Sequence, residues 1–404
     1  MRFLYVLLIT LSIYSNSRAV AETSPVTFEE LLSCGIANSP AASSVLRRIA
    51  KGRAEAEQIR TLENPEFSAE MKPYVSTHGG RESEYRETEY EVVLSQPLLL
   101  SNFGTRKEIS DLIQTQSTLE EKLSFFELEQ TLKISYGKAW ILQERERETK
   151  ELLTEIEKLS STVEKIRQAA FPRSRIAMID GESFKLRADL VGLSGDRKRA
   201  LGDLLRQSGV DVHSRELARL PGRNLFRHNR EGSDALLQRA QLGVKIAEAQ
   251  AKLAELDAFP KFSPRIGFER TNDGDNRIKI GVQFALPFFS RNTPAYLTTA
   301  ADAAAEREVL RYVEGGSLQK EIGLRRSAAH DAEAQLSLYE TKVIPSFKEG
   351  CRSARNEYER GQGDPSLILQ CLMTLGSAQE RFAELWAGSL SQNVELAILL
   401  GEES

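Results

Sequence analysis

The stretch Arg277-Ile-Lys-Ile-Gly-Val-Gln-Phe-Ala-Leu-Pro287 decides the fold. Its even positions, Ile278, Ile280, Val282, Phe284 and Leu286, are apolar. Its odd positions, Arg277, Lys279, Gly281, Gln283 and Ala285, are charged, polar or small. Side chains alternate faces along a strand, so this segment reads as a strand with one greasy and one wet face. Pro287 cannot donate to a ladder and ends it. A long charged helical pattern follows almost at once. Upstream the same order occurs. Thr88, Tyr90, Val92 and Leu94 alternate with Glu87, Glu89, Glu91 and Val93, and Gln96-Pro97 precedes another long helix.

Each strand has a preceding partner. Phe67, Ala69 and Met71 alternate with Ser68, Glu70 and Lys72, ahead of a turn at His78-Gly79-Gly80. Phe262, Pro264, Ile266 and Phe268 alternate with Ser263, Arg265, Gly267 and Glu269, ahead of Asn272-Asp273-Gly274-Asp275. Gly and Asp-Gly supply the positive φ that tight turns need, so both units read as hairpins.

From about Thr105 to Ala169 the only glycine or proline is Gly137. Leu112, Leu119, Leu123, Phe126, Leu132, Tyr136 and Trp140 recur at roughly helical spacing among many charges. A helix of that length runs to about 100 Å. No globular core covers such a rod, so it implies a coiled coil or a barrel of helices. Phe171-Pro172-Arg173 breaks the rod, and a returning helix runs to about Ser208. The second rod runs from about Pro294 to Arg360, with a flexible point at Gly315-Gly316 and a kink at Pro345. It reverses through Gly361-Gln-Gly-Asp-Pro365, and a last helix reaches about Leu400.

The two halves match in order. Pro65 and Pro260, Pro97 and Pro287, and Ser174 and Ser366 are equivalent, so the chain is a duplicated unit. The first repeat covers 22–208, with a hairpin at 66–96 and a long helix pair at 105–208. A connector spans 209–232. The second repeat covers 233–404, with a hairpin at 262–286 and a helix pair at 294–400.

Residues 1–21 read as a signal peptide. Arg2 precedes the short apolar run Phe3–Ile13, and Ala19-Val20-Ala21 fits a small-x-small cleavage site. No later apolar run reaches the roughly 18 residues of a spanning helix. The 404-residue chain has a net charge of −4, so nucleic acid is not an expected partner. Its three cysteines are an odd number, which argues against a disulfide framework. Cys34 reads as a small buried residue of the first helix, with lipidation as the alternative. Cys351 and Cys371 flank the turn at 361–365 and would face each other if the flanking helices are antiparallel.

Four strands cannot close a barrel, and an open edge inside a bilayer strands backbone groups. Copies of the chain must therefore seal one another, or the edges must be covered. The greasy faces read as free of charge. Glu70, Lys72, Glu87, Glu89, Glu91, Arg265, Glu269, Arg277 and Lys279 fall on the other face, as in a water-filled outer-membrane barrel with these residues lining the lumen. Phe259, Phe262, Phe288, Phe289 and Tyr85 near the strand ends fit an interfacial girdle. The fold class is mostly α with β: a transmembrane β-barrel, four strands per chain, continuous with a long periplasmic helical coiled-coil barrel.

Several motifs resemble the TolC family of outer-membrane efflux channels across essentially the whole mature chain. Asn38-Ser39-Pro40 resembles the family's early Asn-Pro. Gln96-Pro97 and Leu286-Pro287 resemble its strand-ending prolines. Tyr358-Glu-Arg-Gly361 followed by Leu367-Ile-Leu369 resembles its Tyr-x-x-Gly turn, and Ala397-Ile-Leu-Leu-Gly401 its closing Leu-Gly. By length the chain is closest to the CzcC-like heavy-metal and cation branch. The resemblance implies a homotrimer with twelve strands above a twelve-helix tube, set in outer-membrane lipid. It also implies a periplasmic adaptor (a membrane fusion protein) and an inner-membrane transporter of RND or ABC type.

In the family the tube closes at its tip, often with acids just after the Tyr-x-x-Gly turn. Leu367 and Gln370 occupy those positions here, and Asp364 lies just before them. The first half lacks the turn glycine. Phe171, Arg173 and Arg175 stand there instead, which places positive charge, or an apolar constriction from Phe171 or Leu367, at the tip alongside Gly361. Ordinary turn chemistry is the competing reading of each.

The function expected is a passive exit duct of a tripartite efflux system, without cofactor or metal. His78, His213, His228 and His330 show no ligand spacing with cysteines or acids, and no nucleophile elbow or phosphate loop is present, so an enzyme is not expected. The outer component of a type I protein-secretion system, or a soluble periplasmic coiled-coil adaptor, are the alternatives. The adaptor reading leaves the four alternating strands unexplained.

Overall fold

The structure is a computed structural model that describes residues 25–73, 88–98, 102–166, 173–212, 215–220, 233–259, 261–271, 275–285 and 292–400. The expected signal peptide, Tyr85, Glu87, Phe171, Phe288 and Phe289 lie outside these residues. The elements in order are α1 (Phe28–Asn38), α2 (Pro40–Arg60), β1 (Glu66–Pro73), β2 (Thr88–Ser95), α3 (Phe103–Ile166), α4 (Arg173–Ser208) and α5 (Ser233–Leu256). There follow β3 (Lys261–Arg270), β4 (Asn276–Ala285), α6 (Thr293–Glu314), α7 (Ser317–Leu338), a π-turn (Tyr339–Val343), α8 (Ile344–Glu359) and α9 (Pro365–Leu400). No helix among the described residues is long and apolar enough to cross a membrane.

The chain forms two compact units, each drawn from both sequence repeats. One comprises described residues within 1–46, 123–233 and 319–404; the other comprises those within 47–122 and 234–318.

The second unit carries the sheet. Its four strands are antiparallel in the order β1-β2-β3-β4. Cross-strand partners share a face. Phe67, Leu94, Ile266 and Ile280 therefore form one row of the apolar face, and Ala69, Val92, Phe268 and Ile278 the next. This face is open: Ile280 is 84% exposed and Ile278 74%. Phe262 packs edge-on against Phe284, with ring centroids 5.5 Å apart. One expectation needs correction. β3 runs one residue past Glu269, and Arg270 falls on the apolar face, opposite Tyr90 and Asn276 at the end of the strands. A terminal position lets a long side chain carry its charge away from the greasy rows.

The first unit holds two apolar clusters. In one, Leu152, Ile156, Leu159 and Val163 of α3 recur at alternating four- and three-residue spacing, a helix seam. They pack on Ile176 and Ile179 of α4 and on Ile368, Leu369, Leu372 and Leu375 of α9. In the other, Tyr136, Ala139 and Trp140 of α3 meet Phe28 and Leu31 of α1 and Leu217 and Leu220 of the connector. The fully buried Tyr136 hydroxyl lies 2.7 Å from both the Val26 and Ala218 carbonyls, sharing its proton between them. Burial pushes its pKa upward, so it stays a neutral donor. Two helical turns on, the Gln143 side-chain amide donates to the Leu217 carbonyl at 3.1 Å and accepts from the Leu217 amide at 3.0 Å. Two side chains of α3 thus fix the connector. At Gly137 two side chains of α9 lie over α3: a Cβ there would stand 2.2 Å from Leu390 Cδ2 and 3.0 Å from Trp386 Cη2.

The helix breaks follow local chemistry. Ser39, with extended backbone, separates α1 from α2, and its hydroxyl accepts from the Ala42 amide. The second rod is interrupted at Gly315-Gly316, where Gly316 takes φ 80°. The Pro345 kink takes the form of the π-turn just before it. Proline has no N–H and crowds the carbonyl four residues back, and widening the helix relieves both. The Ile344 amide accordingly bonds to the Tyr339 carbonyl.

Cys34 is exposed, contrary to expectation. The buried face of α1 runs through Phe28, Leu31 and Gly35, and Cys34 lies one residue round the helix from it. Cys351 and Cys371 form a disulfide between α8 and α9, with Cα atoms 5.4 Å apart.

Candidate functional site

Two groups of residues are candidates, one in each unit. The first is the polar face of the sheet. The register places Glu70, Glu91, Glu269 and Arg277 in one row across all four strands. Lys72 stands opposite Glu89 in the next row. On the other side of that row, Lys279 stands opposite Gly267, and beyond it Arg265 opposite Gly281. Carboxylates gathered in one row repel, and lysines reach into it from both sides. Lys72 Nζ lies 3.5 Å from Glu70 and 3.7 Å from Glu91. Lys279 Nζ lies 3.1 Å from Glu91 and 2.7 Å from Glu269. The result is a relay of alternating charge, Glu70–Lys72–Glu91–Lys279–Glu269, across the sheet. Gly281 makes room for Arg265 beside the relay: a Cβ there would meet Arg265 Nε at 3.2 Å. All of the expected lumen residues that are described therefore share one face. Alternation revealed that face; the pairing within it depends on register, which only the folded sheet fixes.

The second group lies at the end of the first unit. Tyr358-Glu-Arg-Gly361 closes α8, with Gly361 at φ 76°, a conformation that favours glycine. The Gly361 amide bonds to the Tyr358 carbonyl and the Gln362 amide to Glu357. Asp364 then caps α9, its carboxylate accepting from the Ser366 amide at 2.9 Å. Arg175 Nη1 of α4 reaches both oxygens of the same carboxylate, at 3.0 and 2.9 Å. The Ser366 amide foremost, opposed by partial burial and aided by Arg175, holds the Asp364 carboxyl below its ordinary value. The positive charge expected of Arg175 is thus matched by the acid from the other turn. Arg173 is exposed, and Leu367 is half exposed. Gln370 lines a groove of about 520 Å³ with Arg175, Met178, Leu369 and Met373. Arg355 of α8 also pairs with Glu155 of α3, a second tie that the sequence did not reveal.

Neither a family model nor a curated protein sequence matches the chain. Solved structures do. The channel CusC aligns with a TM-score of 0.73 at 15% identity, covering 96% of both chains. The outer-membrane protein VceC of Vibrio cholerae aligns with 0.73 at 16%, covering 93% of this chain and 96% of that one. The CmeC outer-membrane channel of Campylobacter jejuni aligns with 0.73 at 12%, covering 96% and 90%. This chain has the TolC-family fold. Agreement over nearly the full length of both partners, at identities this low, means that the architecture is shared while individual side chains are not. The lysine relay and the Arg175–Asp364 pair are therefore read from this chain alone.

Proposed function

We propose that copies of this chain assemble into an outer-membrane exit duct for efflux, with the polar face of the sheet lining a wet lumen. The observation that carries the reading is the sheet itself. Its apolar face is exposed row after row, its other face is charged, and within the described chain β1 and β4 each have one unpaired edge. Lipid tolerates such a sheet only when the edges are sealed. Sister chains joining β4 to β1 seal them, and three copies supply a twelve-stranded barrel. The likeness to outer-membrane channels supports the same location. The duct conducts passively. Energy comes from an inner-membrane transporter of RND or ABC type, joined through a periplasmic adaptor, and the chain performs no covalent chemistry. Glu70, Lys72, Glu89, Glu91, Arg265, Glu269, Arg277 and Lys279 line the lumen, and Arg175, Asp364, Leu367 and Gln370 stand at the periplasmic constriction.

The test is fractionation followed by electrophysiology. The mature chain is expected in the detergent-extracted outer-membrane fraction, as a heat-resistant oligomer that forms conducting pores in planar bilayers. Recovery as a detergent-free, non-conducting monomer would sink the reading.

A further inference from the structure

We propose that the Cys351–Cys371 disulfide is a redox-set clamp that keeps the C-terminal half of α8 seated on α9. The reason is a disparity between the two helices it joins. α9 buries Ile368, Leu369, Leu372 and Leu375 in the cluster it shares with α3 and α4. α8 buries only Cys351 and Ala354 over Ile344–Glu359. After Ala354 its ties to the described residues of other helices are weak. Arg355 pairs with Glu155, but the arginine is 42% exposed, and pairs of that kind add little. Tyr358 rests against the cluster, yet its buried hydroxyl finds no partner among the described residues, which costs rather than gains. The disulfide stands at the head of this thinly packed segment, with a sequence separation of 20. The loop it closes contains the turn at Gly361 and the cap at Asp364, which receives Arg175. The cross-link thus supplies the cohesion that apolar contacts supply elsewhere in the hairpin.

The chemistry balances through an external oxidant, a disulfide-bearing thiol oxidase. One cysteine thiolate attacks the oxidase disulfide to give a mixed disulfide. The second thiolate displaces it, and the oxidase leaves as a dithiol carrying the electron pair and two protons. The reverse runs with a reducing dithiol. Attack falls on Cys371, because Cys351 is 9% exposed while Cys371 is partly open. An oxidising compartment is required, so the inference rests on the exported location proposed above.

The test uses the detergent-solubilised full chain. Alkylation and mass spectrometry before reduction should label Cys34 and leave Cys351 and Cys371 unlabelled. Hydrogen exchange is then compared between oxidised protein, dithiothreitol-reduced protein and the Cys351→Ser/Cys371→Ser double variant. Amides of 355–360 should exchange on the order of 100-fold faster without the bridge, the factor expected for opening a loop of this length. Amides of 390–400 should be unchanged. Equal exchange with and without the bridge, or labelling of both cysteines before reduction, overturns the clamp. Should the double variant fail to assemble, the reduced wild type gives the same comparison. Free thiols in a conducting pore would overturn the clamp alone, whereas a bridged chain that forms no pore would overturn the exit-duct reading alone.

Discussion

Arg175 Nη1 holds both carboxylate oxygens of Asp364, at 3.0 and 2.9 Å, although 189 residues separate them in the chain. The pair joins the start of α4 to the cap of α9, the two turns proposed to stand at the constriction. Both partners are more than 40% exposed, so the link contributes little to overall stability. Its effect belongs to the local opening of this end. Asp364→Asn should raise single-channel conductance at neutral pH, and the exchange Arg175→Asp with Asp364→Arg should bring it back toward wild type. The pH dependence has a definite sign. The carboxyl sits below its ordinary value in the folded chain, so its contribution is full above roughly pH 4 and is lost as pH falls through the lowered value. Wild type and Asp364→Asn should therefore converge in acid and differ at pH 7. Identical conductance at pH 7 would remove the pair from the constriction.

Val282 and Gln283 are neighbours on opposite faces of β4, opposite Pro264 and Ser263 respectively. With the apolar face turned to lipid as proposed, Val282→Arg should destabilise the barrel by ~2–4 kcal/mol near mid-bilayer, whereas Gln283→Arg should cost little. Denaturant titration in lipid vesicles reads both. Equal damage would contradict the assigned faces.

Gly137 of α3 lies under the Leu390 and Trp386 side chains of α9. Gly137→Ala gains helix propensity but drives a methyl into Leu390 and Trp386. Overpacking of this kind costs about 1–3 kcal/mol, so a net loss is expected, partly reversed by Leu390→Ala. A denaturation midpoint that rises in the single variant would show that the helices slide apart freely.

Tyr136→Phe keeps the ring and removes the hydroxyl that serves Val26 and Ala218. Leaving two carbonyls without that donor should cost about 1–3 kcal/mol. Hydrogen exchange at the Ala218 and Val26 amides, which bond across the parallel bridge between the N-terminal segment and the connector, should accelerate with it. Unchanged exchange there would mean that the Tyr136 hydroxyl does not hold the connector.

The strands and the long helices were legible because they rest on local periodicity. Ile278, Ile280 and Val282 alternate with charge whatever surrounds them, and Leu132, Tyr136 and Trp140 repeat at helical spacing. Glycine and proline marked the breaks at Gly315-Gly316 and Pro345. Partnerships across the chain were not legible. Lys279 bridging Glu91 and Glu269 needs a register, and Arg175 meeting Asp364 needs two turns brought to one place. Cys34 was misjudged because its composition class says buried while its angle round α1 says exposed. Arg270 was missed because a strand end lies a residue or two beyond any pattern.

The π-turn at Tyr339–Val343 adds one residue to the winding of the second rod. Everything after it is rotated by about a quarter of a turn relative to an uninterrupted α-helix. Heptad lettering therefore cannot be carried through from Leu338 to Cys351, and aligning this rod with the first one calls for a single-residue gap at that point.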